Sequence, residues 1–541
     1  MSDDAEVVVV GAGPAGAACA YALARAGRAV ILVDRGTAPG AKNVSGGRLY
    51  TAALDVLEPG LSACVPAERT IAVERLGVLD GERCLVVAAP APTRPAGGPQ
   101  SVTVVRSVLD AWLADLAEQA GASVLPGVAV EGLARTDGRV VGIRAGGEEL
   151  RATTVVAADG TNSLLARELG VVRAPVSGQV ATGVKEVVEL PSGAIEERFG
   201  VGPGQGVAQL MVGCTRGLHG GGFLYTNATS VALGIVVDPA GVARFGTTPR
   251  ELLEDLRAHP AIAALLRGGR VVEYAAHLVR EDGAAGVPRR LTAPGFLVTG
   301  EAAGFVLNLG YTVRGMDLAV LSGLAAAEAI LAGGERESAY RTALARTGVL
   351  GAMASARRYP GFLDADRIYE DYPRLALDVL QEVFTVPGSG SGNGTWAWTW
   401  SRSRSRSDGA ARGVARARPV LPFAGAGAGR ARRRAEGGAG TVSAEAEARL
   451  GVADLLGRDA FAVDEDYAHI AIDPAICRTC PHRACVAACP ASLFSCDESG
   501  EVHFDHAGCL ECGTCRVVCT PGGIVRWTYP HAGFGVTYTA S

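Results

Sequence analysis

Residues 6–34 read EVVVVGAGPAGAACAYALARAGRAVILVD, and this stretch decides the fold. Glu6–Val10 is the apolar run of a strand buried on both faces, Pro14–Ala26 is a helix of small residues, and Ala29–Val33 is a second buried strand. Strand, helix and strand in so short a span predict a parallel sheet, because parallel neighbours need a crossover. The turn between strand and helix, Gly11-Ala12-Gly13-Pro14-Ala15-Gly16, has the G-x-G-x-x-G spacing that receives a dinucleotide pyrophosphate. Gly11 makes the tight turn, Gly13 lets backbone N–H groups approach the phosphates, and Gly16 lets helix and strand close. The helix N-terminus adds positive potential. Asp34 ends the second strand 23 residues after Gly11, where a carboxylate accepts the adenosine ribose hydroxyls.

Two later loops argue for FAD over NAD. Asp159 and Gly160 (AADGTNS, 157–163) follow the apolar segment Ala152–Ala158, and Gly300 and Glu301 (TGEAAGF, 299–305) follow Gly295–Val298. Such loops return backbone and carboxylate groups to one extended cofactor. Arg106 with Asp110, opening a helix, completes the pattern of group-A flavoproteins. Gly315 and Met316 open a further small-residue helix to about Ala332; its N-terminal dipole favours an anionic reduced flavin if it points at the ring. No second G-x-G-x-x-G follows a strand, so no tight NAD(P)H site is expected. Alternating segments such as Ser230–Val237 predict a mostly antiparallel substrate domain. The expected fold is therefore α/β, Rossmann-like and FAD-binding, over residues 1–385. Its FAD-binding segments cover about 1–170 and 270–335, the substrate domain about 175–270, and a helical end runs to 385.

The 541 residues carry 51 Lys+Arg against 56 Asp+Glu, so no basic field argues for nucleic acid. No run of 18 apolar residues predicts a spanning helix. MSDDAEVVVV enters a strand at once and does not read as an export signal. From 387 to 440 a low-complexity stretch holds ten arginines between Arg402 and Arg434, reading as a basic linker or as a tether to anionic lipid. Residues 445–541 form a further unit, and nine of the 13 cysteines lie there between Cys477 and Cys519. Without an export signal they read as metal ligands rather than disulfides. The other four, Cys19, Cys64, Cys84 and Cys214, read as buried small residues.

Cys509-x2-Cys512-x2-Cys515-x3-Cys519, followed by Thr520-Pro521, has bacterial ferredoxin spacing. Cys477-x2-Cys480-x4-Cys485-x3-Cys489-Pro490 repeats it with two residues inserted. Crossed ligation predicts one [4Fe–4S] cluster on Cys489, Cys509, Cys512 and Cys515 and another on Cys477, Cys480, Cys485 and Cys519. Zinc competes for such C-x2-C pairs. Cys496 lies outside both patterns.

Several long motifs resemble the FixC-type flavoproteins of the electron-transfer-flavoprotein:quinone oxidoreductase family: PGAKNVSGGRLY at 39–50, GFLYTN at 222–227, EYAAHL at 273–278 and NLGYTVRGMD at 308–317. CLECGTCR at 509–516 and WTYPHAGFGV at 527–536 resemble the ferredoxin-like FixX partner, so the chain looks like a fusion of the two. The resemblance implies FAD contacts at Pro14, Ala15, Arg35, Lys42, Gly310 and Met316 besides those above. Glu301 stands where the family usually has Asp on the ribityl chain. The resemblance also implies a reduced electron transfer flavoprotein, a FixA/FixB-like heterodimer, as donor and a membrane quinone as acceptor. A bifurcating complex that feeds ferredoxin or flavodoxin stays open, as does a geranylgeranyl-reductase-like enzyme. The implied location is cytoplasmic, peripheral on the inner face of the plasma membrane. The expected contact patch is Phe305-Val306-Leu307, aided by Trp396, Trp398 and Trp400.

Overall fold

The computed structural model describes residues 4–44, 47–309, 313–385 and 450–541. Tryptophans 396, 398 and 400 and the arginine run lie outside them. Residues up to Val383 and from Leu450 onward form one compact unit.

The opening motif folds as read. Strand Ala5–Val10, exposed at Glu6 and buried from Val7 to Val10, pairs in parallel with Val30–Asp34 on one side and Glu148–Ala157 on the other. Phe296–Val298 and Ser123–Pro126 extend this sheet in parallel at its two flanks. Helix Pro14–Arg25 is packed so tightly against Met316–Ala332 that a Cβ on Gly323 would stand 2.1 Å from the Ala15 carbonyl oxygen. The Gly and Ala composition of both helices permits that approach.

A second, nine-stranded sheet runs in the order Arg270–Arg280, Val180–Glu189, Ser230–Val237, Gly220–Thr226, Gln205–Val212, Arg69–Asp80, Ser101–Thr103, Arg48–Tyr50, with the ninth strand, Arg83–Pro90, paired antiparallel to Arg69–Asp80. Most neighbours are antiparallel; Gln205–Val212 and Arg69–Asp80 are parallel. The sheet thus draws strands from before residue 105 as well as from 180–280.

The cysteine-rich segment consists of short paired strands and short helices. It shares an apolar core with the second sheet: Leu455, Ile470, Trp527 and Tyr538 belong to the same buried cluster as Val184, Leu233 and Tyr274. Polar contacts fasten it further. The Tyr274 hydroxyl donates to the Pro490 carbonyl at 3.0 Å, and buried Glu273 accepts the N–H groups of Thr539 and Ala540 at 2.9 and 2.7 Å.

Two expectations about exposure fail. Phe305, Val306 and Leu307 are 0%, 4% and 2% exposed, packed into the core under the flavin-type loops, so they cannot meet a membrane. Cys64 is exposed, whereas Cys19 is buried. No helix among the described residues is long and apolar enough to cross a membrane.

Candidate functional site

The first strand, its helix and the two later loops converge on a cavity of about 320 Å³. Gly11, Gly13, Pro14, Ala15, Asp34, Arg35, Lys42, Arg106, Asp159, Gly160, Gly300, Glu301, Gly315 and Met316 line it. Gly16 does not. A Cβ there would stand 1.9 Å from the Gly11 carbonyl oxygen, so closure of helix on turn is what requires glycine. Gly310 lies outside the described residues.

Asp34 is buried at its strand end, where Oδ2 accepts the Ala12 N–H and Oδ1 the Gly36 N–H, both at 2.8 Å. Burial pushes its carboxyl up, opposed by those two donors. Each oxygen can accept a second donor, so a ribose hydroxyl can still be served. Arg106 opens helix Arg106–Gln119 and is clamped by Asp110 through three contacts of 2.7–3.0 Å. A Cβ on Gly13 would lie 3.3 Å from its guanidinium, which places the cation over the phosphate-type turn. Burial weakens that charge, but Asp110, Glu301 and Asp34 outweigh it.

Asp159 Oδ2 accepts the Leu165 N–H at 3.2 Å, while its buried Oδ1 has no protein partner. Burial pushes this carboxyl up to about 6. Glu301 lies 3.6 Å from His277 Nε2; against the cost of burial, His277, Thr161 and Arg106 hold it below the usual carboxylate range. A glycine cradle and flanking cations that can donate to phosphates, with an uncommitted carboxylate oxygen that can accept a hydroxyl, fit FAD.

Arg35 and Lys42 line the cavity but spend their charge on the cysteine-rich segment. Both pair with Glu511, Lys42 at 3.3 Å, and Lys42 also donates to the Phe534 carbonyl at 2.5 Å. The Arg35 guanidinium lies 3.9 Å from the centre of the Tyr529 ring. Leu510, Glu511, Tyr529 and Tyr538 are cavity wall themselves. Asn162, in the loop after Gly160, donates to the Tyr529 hydroxyl at 3.0 Å and accepts from Arg516 at 3.2 Å. The Thr182 and Thr514 hydroxyls meet at 2.9 Å. The loop that bears Cys509 and Cys512 therefore closes the nucleotide cavity.

The eight patterned thiols fall into two groups by which neighbours disfavour ionisation. Cys480 and Cys519 act on Cys477 and Cys485, whereas Cys489, Cys512 and Cys515 act on Cys509, Cys489 and Cys512 act on Cys515, and Cys512 acts on Cys489. Burial, then these neighbours, pushes Cys485 up to about 11 and Cys489 up to about 12. Among the described residues no three His, Cys, Asp or Glu side chains converge as ligands of a single ion would. Cys496 is exposed on strand Phe494–Cys496.

A second cavity, of about 1050 Å³, adjoins the first and shares Phe223, Tyr225, Val236, Glu281 and Val313 with it. Leu210, Met211, Phe362 and Leu363 make much of the remaining wall apolar. Tyr372, Pro373 and Ala376 of helix Asp371–Phe384 complete it, and that helix turns Leu375, Val379 and Val383 outward, each more than half exposed.

Sequence reasoning missed Lys185, His277, Glu281 and Glu511. Lys185 is 2% exposed, and burial lowers it to about 8 despite nearby Glu273. The charged pair Lys185-Glu186 within a mostly apolar strand (VATGVKEVVE) was the available signal for it. His277 sits within EYAAHL, quoted above for its resemblance alone.

A family model described as an FAD binding domain matches residues 4–196. The chain is 41% identical over 397 residues to a protein named FixC from Escherichia coli O157:H7, covering 72% of this chain and 92% of that one. It is 41% identical over 398 residues, with the same coverage, to YdiS of Escherichia coli K12, named a probable electron transfer flavoprotein-quinone oxidoreductase. Among solved structures, a geranylgeranyl bacteriochlorophyll reductase-like protein from Thermoplasma acidophilum superposes with a TM-score of 0.55 at 20% identity. That match covers 70% of this chain and 91% of the other, and at such identity the likeness is one of fold.

Proposed function

The chain belongs to the FixC family of FAD-dependent oxidoreductases, and we propose that it carries electrons from a reduced electron transfer flavoprotein to a quinone, with FAD and two [4Fe–4S] clusters as its redox centres. The observation that carries this reading is the shared wall. Leu510 and Glu511, between Cys509 and Cys512, line the same cavity as Gly11 and Gly13. A flavin takes electrons in pairs and an iron–sulfur cubane moves them singly, so their juxtaposition supplies a two-electron to one-electron converter.

The residues divide the work. Gly11, Gly13 and Arg106 receive the pyrophosphate, Asp34 the ribose, and Gly315 and Met316 turn the N-terminus of their helix toward the cavity. Cys489, Cys509, Cys512 and Cys515 would hold the cluster nearer the flavin and Cys477, Cys480, Cys485 and Cys519 the other. The two groups of thiols support this, because a cubane takes one thiolate per iron and its four sulfurs stand apart rather than converge on one atom.

The second, apolar cavity would take the quinone ring. Its wall helix Asp371–Phe384 would meet the lipid with Leu375, Val379 and Val383, in place of the buried Phe305–Leu307. A quinone tail partitions into lipid, so the mouth of its cavity belongs at the membrane surface.

The test is anaerobic reconstitution followed by iron analysis and electron transfer assays. About eight irons per chain are expected. Cys489→Ser should remove the cluster beside the flavin, and Cys496→Ser should leave both. Reduced electron transfer flavoprotein should drive quinone reduction. Equal losses from the two substitutions would overturn the ligand assignment. Delivery to ferredoxin or flavodoxin alone, or reduction of an isoprenoid double bond, would overturn the acceptor.

A further inference from the structure

Only two ionisable side chains among the described residues line both cavities, Tyr225 and Glu281. They differ in what they can give up. Burial pushes the Tyr225 hydroxyl up to about 12, so it keeps its proton at neutral pH. Glu281 follows strand Arg270–Arg280, and Asn308 Nδ2 donates to its Oε2 at 2.7 Å. Its Oε1 is shielded from solvent and accepts nothing from the protein. Among the described residues no cation is paired with it. Arg280, the nearest in sequence, is bound to Asp282 at 2.6 and 3.1 Å. The other ionisable groups that face it are Asp282, whose charge disfavours its ionisation, and Tyr369, whose hydroxyl donates to the Leu363 carbonyl at 2.6 Å. Burial, and then Asp282, push the Glu281 carboxyl up to about 7, opposed by Asn308, so much of it is protonated under neutral conditions.

His277, Glu301 and Lys185 line the nucleotide cavity alone, and His219, Asp238, Arg244 and Asp364 the second cavity alone. Among the described residues, Glu281 is thus the one carboxyl at the junction where an acceptor in the second cavity would face the reducing cofactor.

We propose that Glu281 is the acid that protonates the acceptor oxygen nearest the flavin. This rests on the reading of the acceptor as a quinone. Reduction of a quinone to the quinol consumes two electrons and two protons, one proton for each carbonyl oxygen. The electrons come from reduced FAD, which would be refilled from the electron transfer flavoprotein by way of the iron–sulfur clusters, and the proton that the reduced flavin gives up goes to water. Glu281 breaks its O–H bond as the inner carbonyl oxygen forms one, leaving a carboxylate that still accepts from Asn308. The outer oxygen takes its proton from water, and water entering the second cavity restores the proton on Glu281. Asn308 is a positioning residue that keeps Oε1 turned away from itself and toward the junction.

The experiment uses the full-length holoenzyme, reduced anaerobically and mixed with a short-chain soluble quinone or with ferricenium, which accepts one electron and no proton. Glu281→Gln keeps the size and the hydrogen-bonding capacity but has no acidic proton. It should slow quinone-dependent reoxidation by ~10²-fold or more while leaving ferricenium-dependent reoxidation within about twofold and FAD content unchanged. Glu281→Asp should recover part of the loss. Glu281→Gln reoxidised by quinone at the wild-type rate overturns the assignment, and so does equal slowing with both acceptors, because the defect would then not be in proton delivery. Wild-type protein that ferricenium oxidises but quinone does not would overturn the acceptor reading instead.

Discussion

Glu511→Ala tests what holds the cysteine-rich segment against the nucleotide cavity. The Glu511 side chain is 2% exposed, and three donors converge on it: Arg35, Lys42 at 3.3 Å and the Val536 N–H at 3.0 Å. Burial alone would push this carboxyl up; Arg35 and then Lys42 reverse that and hold it below the usual range. Truncation leaves the Lys42 ammonium, 6% exposed, beside an orphaned Val536 N–H and a half-paired Arg35. Breaking a buried pair from one side costs about 3–5 kcal/mol, which corresponds to ~10²- to 4 × 10³-fold in the equilibrium for local opening. Hydrogen–deuterium exchange reads that equilibrium directly. Amides of Ile524–Trp527 and Gly535–Thr537 should exchange faster by that factor, while those of Val7–Val10 stay unchanged. Glu511→Gln should fall between, because it keeps an acceptor for Val536 but leaves both cations unneutralised. Wild-type exchange in the 524–537 region of Glu511→Ala would refute the reasoning and assign the docking to the apolar core and the Glu273 contacts.

Gly16→Ala would put a methyl 1.9 Å from the Gly11 carbonyl oxygen, so the turn must shift. We expect a cost of about 1–3 kcal/mol and loss of most bound FAD, read by flavin absorbance after gel filtration. Asp459 is raised from 3.8 to about 8 by burial, with Glu273 adding to it. Between those values the folded chain holds a proton that the unfolded chain has released, so this residue makes stability fall as pH rises. Asp459→Asn should flatten that fall, seen as a denaturation midpoint that gains on wild type from pH 5 to pH 8; parallel profiles would contradict it. Leu375→Asp with Val379→Asp should weaken flotation with anionic vesicles at high salt, where arginine contacts are screened, without changing FAD content.

The nucleotide end of this protein is legible in its sequence because it is built from local backbone constraints. Gly11 at φ +100° and the crowded contact at Gly16 allow few other residues, so their spacing survives as a readable pattern. The cysteine runs are legible for a related reason: their spacing is fixed within short loops, as the proposed clusters would require. The alternating segment Ser230–Val237 appears as a strand with the bounds its pattern sets, since one of its faces packs on the core.

What tertiary structure alone decided are contacts between residues far apart in the chain. Arg35 and Glu511 stand 476 positions apart, and nothing in the spacing of either announces the other. Glu281 looks like an ordinary charge after a strand; only the meeting of two cavities makes it a candidate acid. Phe305-Val306-Leu307 illustrates the limit from the other side. An apolar triplet is equally favourable in a core or in lipid, because both remove the same surface from water. Packing, not composition, buried it and left Leu375, Val379 and Val383 outside.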